Sequence, residues 1–153
     1  MAVPTSGDAR TSAAPTKMSI GAAVLWGAVA GAGASLVMAM FAMIAALTYQ
    51  GTGFFTPLYH IASVFAPGDA MMQSMQAGMA GSSFTFLFGP AALGALIHMM
   101  VGAGYGVAFA LAARALQLHG AVLIGAATVW GLAVFAISAW IGLPAAAAAL
   151  RRW

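Results

Sequence analysis

The chain contains no cysteine and no glutamate. The first absence excludes disulfides, thiolate metal sites and cysteine nucleophiles. The second leaves Asp8 and Asp69 as the only carboxylate side chains, so paired acid–base chemistry lacks its components. Charge of either sign is scarce: seven of the 153 residues are Asp, Lys or Arg, 5% of the chain, against roughly 25% in a soluble domain. Five of the seven (Asp8, Arg10, Lys17, Arg151 and Arg152) lie in the first 17 or the last three positions. Between Met18 and Leu150 only Asp69, Arg114 and three histidines can carry charge. No water-soluble surface can be built from that composition. Nor is there a nucleic-acid patch, which needs clustered Lys and Arg; the only adjacent basic pair is Arg151-Arg152. The net charge of +3 reads instead as topology signals and headgroup contacts.

What is present is apolar: 63% of the residues, with a mean hydropathy of +1.00. The apolar runs are continuous and rich in Ala, Leu, Gly and Met. Alternation, the mark of a barrel strand, is missing, so spanning helices are expected. The predicted fold is an all-α polytopic membrane protein with three transmembrane helices, a fourth being possible by length, plus a short re-entrant or interfacial helix. A disordered polar tail, 1–19, precedes a single transmembrane domain, 20–153. The first span covers about 20–48. Its run Ile20–Leu47 has 28 residues, too many for a signal-peptide core of roughly 7–15 residues, so it is retained. At ~1.5 Å per residue it reaches ~42 Å, more than a ~30 Å hydrocarbon core, and must tilt or protrude. The second span covers about 91–113 and the third 121–143. Pro144 ends or kinks the third, and Ala145–Leu150 extends it toward Arg151-Arg152-Trp153.

The connection between the first two spans, with an interfacial segment at 54–88, is too apolar for an ordinary loop. Thr56-Pro57 offers an N-cap followed by proline at the first helical position. Leu58, Ile61, Ala62 and Phe65 then follow at helical spacing until Pro67-Gly68. Asp69 is the expected N-cap of a second short helix, Ala70–Ala80. Phe84–Phe88 either inserts at the membrane surface or forms the first turn of a longer second span. Arg10, Lys17 and Arg114 on one side against Arg151 and Arg152 on the other lean the N-terminus toward the cytoplasm. The expected location is the inner (plasma) membrane.

Two stretches carry a resemblance. GTGFFTPLYHIASVF (Gly51–Phe65) fits a GxGFxxPLxxIA signature, and GALIHMMVGAGYGVAFALA (Gly94–Ala112) fits GxxxHxxxxxxYGxxFA. Together they resemble a group of small bacterial multi-span membrane proteins, with WGLAVFAISAWIGLP (Trp130–Pro144) compatible with that group's next helix. The resemblance implies architecture and carries no activity.

Small residues recur at i+4 in two spans: Ala23, Gly27, Gly31, Ser35, Ala39 in the first, and Gly94, His98, Gly102, Gly106, Ala110, Arg114 in the second. Such ridges let helix backbones approach closely, which makes Gly27, Gly31, Ser35, Gly94, Gly102 and Gly106 the candidate packing residues. His98 is the candidate intramembrane polar site, because an ionisable group inside a span is costly. It is either a metal or haem ligand or proton relay, or a neutral imidazole bonded to Ser35, Thr128, Ser138 or a backbone carbonyl. His60 and His98 together could hold a haem iron or contribute to a copper site. Met71, Met75 and Met79 give two overlapping MxxxM spacings of soft thioether ligands suited to Cu(I). With Gly102 and Gly106 they are similar to the MxxxM and GxxxG patterns of eukaryotic-type copper channels. The same methionines also suit adaptable apolar packing. His119 lies in a short polar turn and is expected to be solvated. Gly102–Gly106 lies within a span and is no phosphate cradle. Ser63, His60 and Asp69 lack the elbow of a hydrolase.

No catalytic residue, resident cofactor or enzyme activity is expected. The leading expectation is a non-catalytic accessory or structural subunit of a larger membrane complex, or a homo-oligomer, with lipids and membrane-protein subunits or itself as partners. The alternative is a small transporter or channel, for copper or another small solute, using His60, Met71, Met75, Met79 and His98.

Overall fold

The computed structural model describes residues 18–138 and residue 140. The readings of the polar tail over 1–17, of the third span beyond 140, of Pro144 and Ala145–Leu150, and of Arg151-Arg152 lie outside the described residues. The architecture is all-helical: α1 (Ile20–Thr48), α2 (Thr56–Ala62), α3 (Asp69–Met79), α4 (Phe88–Ala115) and α5 (Gly120–Ile137). Three of these, α1, α4 and α5, are long and apolar enough to cross a membrane. Of the aromatic run, Phe88 opens α4, whereas Phe84–Leu87 precede it.

The long helices are delimited by local chemistry. The Ser19 hydroxyl accepts the Ala22 amide at 3.1 Å and caps the start of α1. At the other end Gly51 takes a φ of +63°, a left-handed conformation that costs glycine little. α4 closes through a turn in which the Leu118 amide donates to the Ala113 carbonyl at 2.9 Å and Gln117 takes φ +53°. This is the 6→1 closure of a helix C-terminus with Gln117 where glycine is usual. Arg114, in that last turn, complements the carbonyl end of the helix.

α1 and α4 run antiparallel and pack through their two small-residue ridges. A Cβ built on Gly102 would lie 2.6 Å from the Ser35 Cβ and 2.7 Å from the Gly31 carbonyl oxygen. One on Gly27 would lie 2.7 Å from both the Ala110 Cβ and the Gly106 oxygen. Gly31 and Gly106 are tighter still, each against the facing backbone. The seam therefore admits no side chain at these four glycines. In lipid, where apolar burial offers no drive, such close dispersion contact holds helices together.

The α2–α3 segment caps the end of this pair where α1 finishes and α4 begins. Tyr59 and Leu58 cluster with Ala91, and Met43, Phe55, Met71, Leu87 and Ala95 pack around them. Gly94 lets the Leu58 backbone rest directly on α4. The Tyr59 hydroxyl donates to the Thr85 carbonyl at 3.0 Å and accepts the Leu87 amide at 2.8 Å, clasping the strand of chain that leads into α4.

Two capping expectations are corrected. The residue before α2 is Phe55, and Thr56 is already helical; its hydroxyl is buried and bonded to Ser74 Oγ at 2.9 Å. Tertiary packing has taken the oxygen that a cap would use. Gly68 stands at the N-cap of α3, and Asp69 is the first helical residue with no side-chain cap bond. There its charge still favours the positive helix end. α2 also ends earlier than the spacing of Phe65 predicts. The Ser63 hydroxyl donates to the His60 carbonyl at 2.7 Å, a local bond that competes with helix continuation.

α5 stands apart. None of its residues is buried; its aromatic contact with α4 is the tilted pair Phe109–Trp130, centroids 6.0 Å apart.

Candidate functional site

Because α5 leans on α4 so lightly, an open groove of about 1390 Å³ separates it from the α1–α4 pair. Its walls include Trp26 and Ser35 from α1, His98 and Phe109 from α4, and Trp130 and Val134 from α5. At one end lie Met18, Arg114, Gln117 and His119; toward the other lie Met38, His98 and Ser138. The site is thus a largely apolar trough with polar groups at both ends and Tyr105 between them.

The geometry at His98 selects among the partners open to it. Its Nε2 lies 3.0 Å from the Ser35 carbonyl oxygen. A carbonyl only accepts, so Nε2 carries the proton, and in the neutral ring Nδ1 holds the lone pair. The Ser35 and Thr128 hydroxyls are spent locally, donating to Ala32 at 2.8 Å and to Ile124 at 3.0 Å. The i+4 row that carries His98 between Gly94 and Gly102 turns it to α1, where the glycines leave room.

Arg114 is the cation of the groove. Its Nε donates to the Met18 carbonyl at 2.9 Å, tying the end of α4 to the start of α1. Among the described residues the acidic side chain is Asp69, in α3 at the far end of the pair, and no ion pair forms with it. His119 is exposed, as its place in a polar turn predicts, with Nδ1 bonded to the Gln117 carbonyl.

The copper and haem candidates take different environments. His60 is exposed on α2, while His98 turns its Nε2 to α1. Met71 packs on the Leu58–Tyr59–Ala91 cluster, Met75 is half-buried, and Met79 is 71% exposed. Among the described residues no group of three or more His, Asp or Glu side chains converges as for a metal. The six packing candidates do converge: Gly27, Gly31, Ser35, Gly102 and Gly106 at the α1–α4 seam, and Gly94 at the α2–α4 contact.

Three features escape a reading of the sequence. Tyr59 is 1% exposed and holds two backbone groups; its place beside the PL dipeptide of a short helix gave no sign of that. Ser74, wholly buried, pairs with Thr56 across α2 and α3. Trp130 lines the groove with an indole N–H that is buried and has no acceptor. A tryptophan inside a span, away from the interfacial belt, is the one signal that could have drawn notice to it. No family model, curated protein or solved structure matches the chain.

Proposed function

We propose that the chain is a non-catalytic integral membrane protein that works as an accessory or structural subunit of a larger membrane complex, or as a homo-oligomer. The observation that carries this reading is α5. A spanning helix that buries none of its residues against its own chain contributes little to that chain's fold. Gly125 sharpens the point: a Cβ there would meet nothing. An interior glycine weakens a helix by about 0.5–1 kcal/mol relative to alanine. Within this chain Gly125 brings no close approach in return; against another helix it would. The ridges of α1 and α4, by contrast, are already used on each other. The reading places the protein in the inner membrane with the N-terminus and Arg114 on the cytoplasmic side.

The test is the mass of the full chain purified in mild detergent. An oligomer or a defined hetero-complex is expected, and Gly125→Leu shifts it toward the monomer. A wild-type protein that is monomeric at every protein and detergent concentration defeats the proposal. The transporter reading has one specific support, the placement of His98, Ser35 and Tyr105 along the same groove. It requires Cu(I) uptake into proteoliposomes that His98→Leu abolishes.

A further inference from the structure

The groove beside Arg114 has the chemistry of a lipid site and not merely the shape of a gap. The Arg114 guanidinium has five N–H donors. One is taken by the Met18 carbonyl, and no carboxylate among the described residues claims the rest. The fork that remains matches a phosphate. Gln117 and His119 stand beside it at the same mouth. From there the groove becomes apolar, with Phe109, Trp130, Trp26 and Val101.

The depths agree with a phospholipid. The headgroup zone occupies about 5–7 Å on each side of a ~30 Å hydrocarbon core. Phe109 lies five residues inward from Arg114, or ~7.5 Å along the helix, and Trp130 packs against it. A lipid whose phosphate sits on Arg114 therefore runs the upper part of its acyl chain past Phe109 and Trp130. Its tail reaches the bilayer midplane after about 20–22 Å. Between Arg114 and His98, sixteen residues or ~24 Å along α4, the polar side-chain group that α4 adds to the lining is the Tyr105 hydroxyl. The stretch is mostly apolar, with Val101, Phe109 and Ala110, and its length is about that of one leaflet.

We propose that the groove between α5 and the α1–α4 pair binds one anionic glycerophospholipid, its phosphate held by Arg114 and an acyl chain lying along Phe109, Trp130 and Val101. Charge complementarity decides for an anionic lipid over a second protein helix, since a helix lying in the trough would leave the guanidinium unanswered. The proposal goes beyond the subunit reading and does not require it, because a monomer can carry the lipid.

Native mass spectrometry of the full chain in detergent, with phosphatidylglycerol or phosphatidylcholine added, tests it. One retained phosphatidylglycerol per chain is expected, favoured over phosphatidylcholine by about fivefold or more, the worth of one arginine near an anionic headgroup. Arg114→Gln removes that preference. Gly131→Phe fills the trough at a position that lines it and where a Cβ meets nothing, so the fold is retained while lipid retention falls by a similar factor. Arg10→Gln, an equal loss of charge in the N-terminal tail, leaves retention unchanged. Excess inorganic phosphate does not displace the lipid, since the tail holds it too. Equal retention of both lipids, retention indifferent to Gly131→Phe, displacement by phosphate alone, or a groove filled only by another copy of the chain overturns the proposal.

Discussion

A methyl group added at Gly102 would land 2.6 Å from the Ser35 Cβ, whereas one added at Gly104, two positions along the same helix, meets nothing within 4 Å. The pair is a controlled experiment. Gly31→Ala, Gly102→Ala and Gly106→Ala are expected to destabilise the α1–α4 pair by about 1–3 kcal/mol each through overpacking. Gly33→Ala and Gly104→Ala, both in open space, are expected to be neutral or to stabilise by about 0.5–1 kcal/mol. Unfolding by SDS titration, followed by circular dichroism, reads the difference. Equal effects at both sets would place the seam elsewhere. The same scale settles the expectation for His98. If its partner were a lone hydroxyl, His98→Leu would strand a buried polar group at about 1–3 kcal/mol. The partner is the Ser35 carbonyl, which also serves the hydrogen-bond ladder of α1. The loss should be nearer ~0.6 kcal/mol, the usual worth of an interhelical bond in lipid. His98→Gln, which keeps a donor, should lose less, and the same titration compares the two.

At the scale of the element, the cap depends on one phenol. Tyr59→Phe removes the acceptor of the Leu87 amide and the donor to Thr85. It is expected to cost about 1–3 kcal/mol locally and to speed hydrogen exchange at the Leu87 amide, with the centres of α1 and α4 unaffected. Unchanged protection at Leu87 would mean the clasp does not hold that turn. This element also shows what could be read without coordinates. Of the i+4 rows of α1 and α4, Gly27, Gly31, Ser35, Gly102 and Gly106 lie at the seam and Gly94 lies under α2; helical periodicity is local, and glycine has few other uses in a span. That these two rows face each other was not legible, since pairing depends on the antiparallel course imposed by the connection. Thr56 and Asp69 were misread for a related reason. Capping propensity describes an isolated helix start, and here Thr56 was drawn into a buried bond with Ser74, a residue eighteen positions on. The groove was invisible in the same way: it exists because α5 fails to close on α4, and no residue in α5 announces that.

For the whole molecule, the antiparallel α1–α4 pair brings Arg114 to Met18 and puts the α2–α3 cap at the opposite end. Cysteines at Ser82 and Gln117, both exposed, should therefore label from opposite sides of the membrane with an impermeant reagent. Ser74 is unsuitable for this despite its polar neighbours, being wholly buried. With the N-terminus in the cytoplasm, Ser82→Cys reacts in intact cells and Gln117→Cys only after lysis. Reaction of both from outside would break the three-span arrangement, and the reverse pattern would invert the orientation.

The seam between α1 and α4 also has a timetable. Gly31 meets Gly102, a residue about 70 positions later in the chain. At roughly 5–20 residues per second of synthesis, α1 waits on the order of 4–14 s before its mate leaves the ribosome. Throughout that interval its glycine face has only lipid or the face of another nascent chain to touch. Crowded synthesis on one messenger should then favour exchange of α4 between neighbouring copies, and slow codons between α1 and α4 should increase it.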